Sequence, residues 1–249
     1  MILIRELSKK YGSFTAVDKI SLEINSGEIF GFLGVNGAGK TTTLRMLTGV
    51  LKPTSGSIHI GGIDLFREPE KAKAITGFIP DRPYLYNKLT GREYLYFVSD
   101  LHSVPSQVVD QRIDKLLAQY SLVDWQNELI DGFSHGMKQR LAMCAALVHE
   151  PQVLIVDEPM VGLDPHGAKL LKSCFRQYAD QGMSILLSTH SLNVAEELAD
   201  RLAIIHKGNV IALGTLEQMR ELAGGSNQRL EEIFLQLTWS EGGTAEADA

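Results

Sequence analysis

The residues best suited to chemistry lie in Gly34-Val35-Asn36-Gly37-Ala38-Gly39-Lys40-Thr41-Thr42, a run of the form G-x-x-x-x-G-K-[ST]. Glycines at these positions let backbone N–H groups turn toward phosphate oxygens where a Cβ would intrude. Lys40 is long enough to reach the β- and γ-phosphates of a nucleotide, and the Thr41 or Thr42 hydroxyl can hold Mg²⁺. The apolar stretch Glu28-Ile29-Phe30-Gly31-Phe32-Leu33 precedes the loop, and Thr43-Leu44-Arg45-Met46-Leu47 follows with helical character. Strand, glycine loop and helix is the context such a loop requires. The helix start adds partial positive charge. The alternative, a glycine-rich turn that binds nothing, needs neither flank. A second constellation is Val153-Leu154-Ile155-Val156-Asp157-Glu158-Pro159, an apolar run that ends in two carboxylates. Open α/β sheets bind ligands at that end of their strands. Asp157 can hold Mg²⁺ through water, while Glu158 is free to polarise an attacking water. Alone, this would read as a strand and a polar turn; beside a phosphate loop it reads as the catalytic half of a site.

Short strands over residues 2–7, 20–24 and 28–33 must carry the first loop, with turns at Tyr11-Gly12-Ser13 and Asn25-Ser26-Gly27. The helix after the loop ends near Gly49, and residues 57–60 and 76–79 read as further strands. Between residues 83 and 150 the pattern turns helical, over 90–101, 105–120 and 136–150. In the last of these, Leu141, Cys144, Ala145 and Val148 share one face. After Pro151 strand and helix alternate again: strands 153–156 and 184–188 are near-continuously apolar, as strands buried on both faces are. Helices are expected over 166–180 and 191–199, and strands 202–206 and 210–213 close the sheet. The predicted fold is α/β with a helical lobe, 83–150, inserted into a core of 1–82 and 151–225. A closing segment, 226–249, ends in the small acidic tail 241–249, which is expected to be disordered.

With 249 residues the chain can bury a sizeable core. A net charge of −6 argues against nucleic-acid binding by phosphate neutralisation. The two cysteines, Cys144 and Cys174, have no metal-site spacing and read as small buried residues of a reducing compartment. The N-terminal Met1-Ile2-Leu3-Ile4-Arg5-Glu6 does not read as a signal peptide. The longest apolar run, 141–148, is far below the ~18 residues of a membrane span.

Six ordered elements together resemble the nucleotide-binding subunit of ABC (ATP-binding cassette) transporters, over residues 2–237. Phe133-Ser134-His135-Gly136-Met137-Lys138-Gln139-Arg140-Leu141 resembles the family signature LSGGQxQR. Val161-Gly162-Leu163-Asp164-Pro165 resembles the D-loop, Ser188-Thr189-His190 the switch histidine, and Lys9-Lys10-Tyr11-Gly12 the adenine-stacking A-loop; the glycine loop and the Asp157-Glu158 pair complete the set. The resemblance implies a P-loop NTPase cassette: a mixed core sheet with flanking helices, N-terminal antiparallel β elements and an inserted helical subdomain. It implies ATP and Mg²⁺, Glu158 and His190 as catalytic residues, Tyr11 and residues 34–42 as the ATP site, and Thr41, Asp81 and Asp157 at the metal. It further implies a head-to-tail dimer, of identical or paired cassettes, in which Ser134, His135, Gly136 and Met137 meet ATP held by the opposite subunit and Asp164 crosses the interface. Two departures stand out. Asp81 occupies the position after Gly77-Phe78-Ile79-Pro80 where the family usually has Gln, and His135 and Met137 replace a glycine and a glutamine of the signature.

The Met137-Lys138-Gln139-Arg140 run and residues 230–237 look most like small bacterial exporter subunits, including the Ecs type. That implies a cytoplasmic ATPase, peripheral at the inner membrane face through a transmembrane permease. Tyr84-Leu85-Tyr86 reads either as lobe core or as a groove for a short helix of that permease. A soluble ABC-type ATPase acting on another macromolecule is the alternative, disfavoured by a single cassette and negative charge. A small-molecule kinase sharing only the loop is disfavoured by residues 134–141 and His190.

Overall fold

A computed structural model describes residues 1–222 and 229–240. The chain begins with strands β1 (Ile2–Tyr11), β2 (Phe14–Ile24) and β3 (Ile29–Leu33), then helix α1 (Lys40–Leu47). Strands β4 (Ser55–Ile60) and β5 (Ile63–Asp64), helix α2 (Pro69–Ala74) and strand β6 (Thr76–Ile79) follow. Helices α3 (Gly91–Leu101), α4 (Ser106–Gln119) and α5 (His135–Leu147) come next, then β7 (Val153–Asp157), α6 (Pro165–Asp180), β8 (Ser184–Thr189) and α7 (Leu192–Leu198). Strands β9 (Arg201–His206) and β10 (Asn209–Gly214) and helices α8 (Leu216–Leu222) and α9 (Leu230–Ser240) complete the order.

Two sheets result, an antiparallel one in the order β2-β1-β4-β5 and a mixed one in the order β10-β9-β3-β8-β7-β6. The five strands from β9 to β6 run parallel, and β10 adds an antiparallel edge. Every residue of β3, β7 and β8 is buried, which accounts for their unbroken apolar sequences. The side-chain alternation of a strand sends successive residues of β7 into different layers. Val153 and Ile155 join Phe30, Phe32, Ile4 and Ile58 under the antiparallel sheet, while Leu154 and Val156 join Leu171, Phe175, Leu141 and Leu147 on the helical side. A third cluster packs Leu33, Leu202 and Ile204 against Ala195, Met219 and Ile233 of the last three helices.

The helical stretch is held by Leu95, Ile113, Leu117, Leu141 and Cys144 in one apolar cluster. Thr90 caps α3 in a reciprocal capping box with Glu93. Both cysteines are buried and free. The expected single apolar face of α5 is wider in the structure, where Leu141 through Leu147 are all buried, because the helix lies between α3 and α4 on one side and β6 on the other.

Several element boundaries differ from expectation. The strand expected at 20–24 begins at Phe14 and pairs with β1 through register shifts that hide the alternation, with Lys19 at φ 45°. Tyr11, expected in a turn, ends β1 and faces Phe14 across the hairpin. The two-residue β5 and six-residue α2 were not expected; both are too short to carry a period and form on neighbours, Ile60 pairing with Ile63 and Ala72 lying fully buried. The helix expected over 136–150 starts at His135 on its Ser134 cap and stops at Leu147, and Glu150 at φ 54° turns the chain toward β7. The expected disorder of the acidic tail, 241–249, lies outside the described residues.

Candidate nucleotide-binding site

Register brings the predicted groups together. Leu33, at the end of β3, pairs with Thr189 of β8, and Asp157, at the end of β7, pairs with Ser188 of β8. Ile79 of β6 pairs with Val156, so the chain leaves β6 toward Asp81 at the same sheet edge. The glycine loop, the carboxylate pair, His190 and Asp81 therefore all emerge from the C-terminal ends of four neighbouring parallel strands, where such sheets bind ligands.

The loop is braced from behind. A Cβ on Gly34 would stand 2.5 Å from the Ile205 carbonyl oxygen and 3.0 Å from Ala38 Cβ, so only glycine passes there. Gly39, at φ 111°, precedes α1, and a Cβ on it would come within 2.7 Å of the Ala16 carbonyl oxygen. The Gly208 N–H donates to Ala38 O at 2.9 Å, tying the loop to the β9–β10 turn. Val35, Asn36 and Gly37 remain exposed, and Thr41 and Thr42 lie on the first turn of α1. Lys40 is only 6% exposed, and its Nζ donates to Gly34 O at 2.6 Å and Val35 O at 3.3 Å. Burial holds its ammonium below the ordinary lysine range, with the Glu158 and Asp157 carboxylates pulling the other way.

Asp157 is equally buried, and burial raises its carboxyl pKa. The Ser188 hydroxyl and Lys40 oppose that rise, while the like charges of Glu158 and Asp81 add to it. Glu158 sits at φ 49°, a left-handed conformation rarely adopted by a non-glycine residue. Its backbone N–H donates to Ser188 O at 2.9 Å. Its carboxylate is fixed at both oxygens: the Thr189 hydroxyl donates to Oε2 at 3.0 Å, and the His190 N–H donates to Oε1 at 2.9 Å. His190 Nδ1 lies 2.7 Å from the same Oε1. Thr189 lies in the quoted run Ser188-Thr189-His190 but was given no role of its own; a threonine in an apolar strand reads as packing. Fixing a carboxylate while leaving it partly open is what a general base toward water needs.

The remaining predicted residues fall into two groups. Tyr11, half-exposed with Lys9 Nζ 5.2 Å from its ring centroid, ends the β1–β2 hairpin whose Ala16 braces Gly39. Ser134 accepts from Met137 N at 3.3 Å as the cap of α5, and Met137 turns its side chain into the core, leaving only backbone to offer a ligand. His135 is exposed and reaches Val161 O with Nε2 at 3.3 Å. Gly136 lies beside Leu163, and Asp164 caps α6 by accepting from Gly167 N at 2.7 Å. The second group thus clusters around residues 161–164.

A strand, glycine loop and helix, with two consecutive carboxylates at the end of a second parallel strand, β7, define a P-loop nucleotide hydrolase. The ABC transporter family profile matches residues 17–161, and the chain belongs to that family. It is 36% identical over 240 residues to the linearmycin resistance ATP-binding protein LnrL of Bacillus subtilis (strain 168), covering 96% of this chain and 75% of that protein. It is 32% identical over 243 residues to the ABC-type transporter ATP-binding protein EcsA of the same organism, covering 98% of each. Among solved structures, the ATP-binding subunit of an ABC transporter superposes with a TM-score of 0.91 at 33% identity, over 96% of this chain and 99% of that one. The protein is an ATP-binding and ATP-hydrolysing subunit of an ABC transporter.

Proposed function

We propose that residues 34–42 hold the ATP triphosphate and that Glu158 is the general base for its hydrolysis. The observation that carries this is the carboxylate held at both oxygens by Thr189 and His190, at the strand end beside the phosphate loop. Lys40 exchanges its loop carbonyls for the β- and γ-phosphates, and α1 adds its N-terminal N–H groups. A water proton passes to Glu158 as the water oxygen bonds the γ-phosphorus and the bond to ADP breaks, yielding ADP and phosphate. His190 keeps Glu158 oriented and stands next to the γ-phosphate under attack. Tyr11 stacks on adenine.

The donors around Asp157 suit Mg²⁺. They are oxygens (Asp157, Asp81 and the Thr41 hydroxyl), the burial and like charge at Asp157 favour a cation beside it, and Mg²⁺ takes few protein ligands when phosphates supply the rest. Among the described residues no cluster of three or more His, Cys, Asp or Glu side chains forms a closed metal cage. When bound, Mg²⁺ offsets charge on the β- and γ-phosphate oxygens.

Two cassettes close head to tail on two ATP molecules, each completed by Ser134 and Gly136 of the other subunit, and Asp164 lies at that interface. The core comprises 1–82 and 151–225 and the lobe 83–150. No helix of the described residues is long and apolar enough to cross a membrane. The family membership supports a separate permease as the transport path. Its short cytoplasmic helix docks in the groove of about 450 Å³ lined by Phe78, Tyr84, Leu85, Tyr94 and Val98, beside which Tyr84 is 84% exposed. The names of relatives, linearmycin resistance and bacitracin transport, support export as the direction of transport. The protein acts at the cytoplasmic face, without nucleic acid.

The test is Glu158→Gln, followed by ATPase assay and light scattering with MgATP. The expected result is a loss of turnover of about 10²–10⁴-fold with ATP retained in a dimer. Turnover within a few-fold of the parent protein rules out Glu158 as the base.

A further inference from the structure

His135 stands between Ser134 and Gly136, yet its ring lies on the D-loop of its own subunit. Nε2 is 3.3 Å from Val161 O, and the next residue, Gly162, adopts φ 76° directly under the imidazole. A Cβ on Gly162 would come within 2.8 Å of His135 Nε2 and closer still to Cδ2, so ring and glycine interlock with no spare volume. The following contact continues the seam, since a Cβ on Gly136 would stand 3.6 Å from Leu163 Cδ2. At its other end the D-loop is joined to the base: the Val161 N–H donates to Glu158 O at 3.3 Å, and Glu158 is already held at a strained backbone angle. A glycine at position 135 would offer neither ring nor donor, and residues 161–162 would lose their lateral support.

We propose that His135 is a positioning residue that clamps the signature to the D-loop of the same subunit, so that engagement of the opposite subunit's ATP sets the geometry of this subunit's Glu158. This rests on the dimer reading given above. The ring donates its Nε2–H to Val161 O and fills the space that Gly162 leaves open. The path is a chain of three contacts: ring to Val161 carbonyl, Val161 amide to Glu158 carbonyl, and the Glu158 side chain to Thr189 and His190. Small misplacements of a base are costly, up to about 10²-fold for about 1 Å. His135 touches neither nucleotide nor water in this scheme, so its removal acts on turnover and on cooperativity between the two sites.

The experiment compares His135→Gly, His135→Gln, Gly162→Ala and the His135→Gly/Gly162→Ala pair in the full chain. It measures kcat, KM for ATP and the Hill coefficient, and ATP-driven dimerisation of each in the Glu158→Gln background. His135→Gly is expected to lower kcat about tenfold and the Hill coefficient toward 1, with KM unchanged within about twofold. His135→Gln, which keeps an N–H donor, restores part of kcat. Gly162→Ala is expected to be the more damaging single change, and emptying position 135 in the pair recovers several-fold activity over Gly162→Ala alone. Unchanged kcat and Hill coefficient in His135→Gly overturn the clamp, as does a pair whose losses merely multiply. If Gly162→Ala does not fold, the His135→Gly and His135→Gln comparison decides alone. A Glu158→Gln protein that binds ATP and stays monomeric overturns the dimer reading and the clamp together; one that dimerises while the losses multiply overturns the clamp only.

Discussion

Thr189→Val separates the two jobs that one hydroxyl performs. Thr189 is almost fully buried; its Oγ1 donates to Glu158 Oε2 at 3.0 Å and accepts from Ser191 N at 3.0 Å. Valine has nearly the same shape, so no cavity opens and the change removes hydrogen bonding alone. Glu158 Oε1 keeps the His190 N–H and Nδ1 contacts, but Oε2 loses the donor that fixes the second oxygen. A hydrogen bond to a charged group contributes about 1.5–3 kcal/mol, and 1.4 kcal/mol is a factor of ten in rate. If that bond serves to aim the carboxylate, kcat falls about ten- to hundredfold, while KM for ATP stays within about twofold. The Ser191 N–H also loses its acceptor at the start of α7, costing about 1 kcal/mol of stability. Steady-state ATPase with a melting curve reads both, and Thr189→Ser, which keeps the hydroxyl, returns both toward the parent values. A Thr189→Val protein with parental kcat and a lowered melting point refutes the reasoning, because the hydroxyl would then serve only the turn into α7.

Gly34→Ala places a methyl 2.5 Å from the Ile205 carbonyl, a backbone atom that cannot swing aside. Overpacking of this kind costs about 1–3 kcal/mol, a drop of about 3–10 °C in melting temperature at this chain length, and titration calorimetry should show lost ATP binding. His149 offers a pH test. Burial lowers its pKa to about 4, with His102, stacked at 3.7 Å, acting in the same direction. A histidine with a folded pKa below its unfolded one favours the neutral form, so its contribution is present above about pH 6.5 and is lost as pH falls toward 4. His149→Phe, which keeps the stack, should flatten the stability profile across that window in chemical denaturation. A difference between the two proteins that does not vary with pH contradicts the assignment.

What sequence showed depended on how locally each feature is determined. The strands β3, β7 and β8 were legible because burial on both faces writes an unbroken apolar run. The glycine loop between β3 and α1 was legible because its glycines answer constraints from nearby backbone. The first half of β2 was not, because shifts of register against β1 scramble the period of two. Nor were β5 and α2, whose few residues are ordered by neighbours rather than by pattern. At the site, residue types announced Asp157, Glu158 and Lys40, but the support at Thr189 and the contact of His135 with Gly162 join segments distant in the chain. Such pairs exist only once the sheet and α5 have set them side by side.

The two-sided grip on β7 has a dynamic consequence. Val153 and Ile155 belong to one layer and Leu154 and Val156 to another, so this strand cannot loosen without disturbing both. Its backbone amides should therefore exchange with deuterium only through opening of the whole core, whereas amides of α3 and α4, anchored from the helical side alone, exchange through smaller openings. The carboxylate that ends the strand thus rests on the slowest-exchanging part of the molecule, and rearrangements during turnover fall to the elements packed around it.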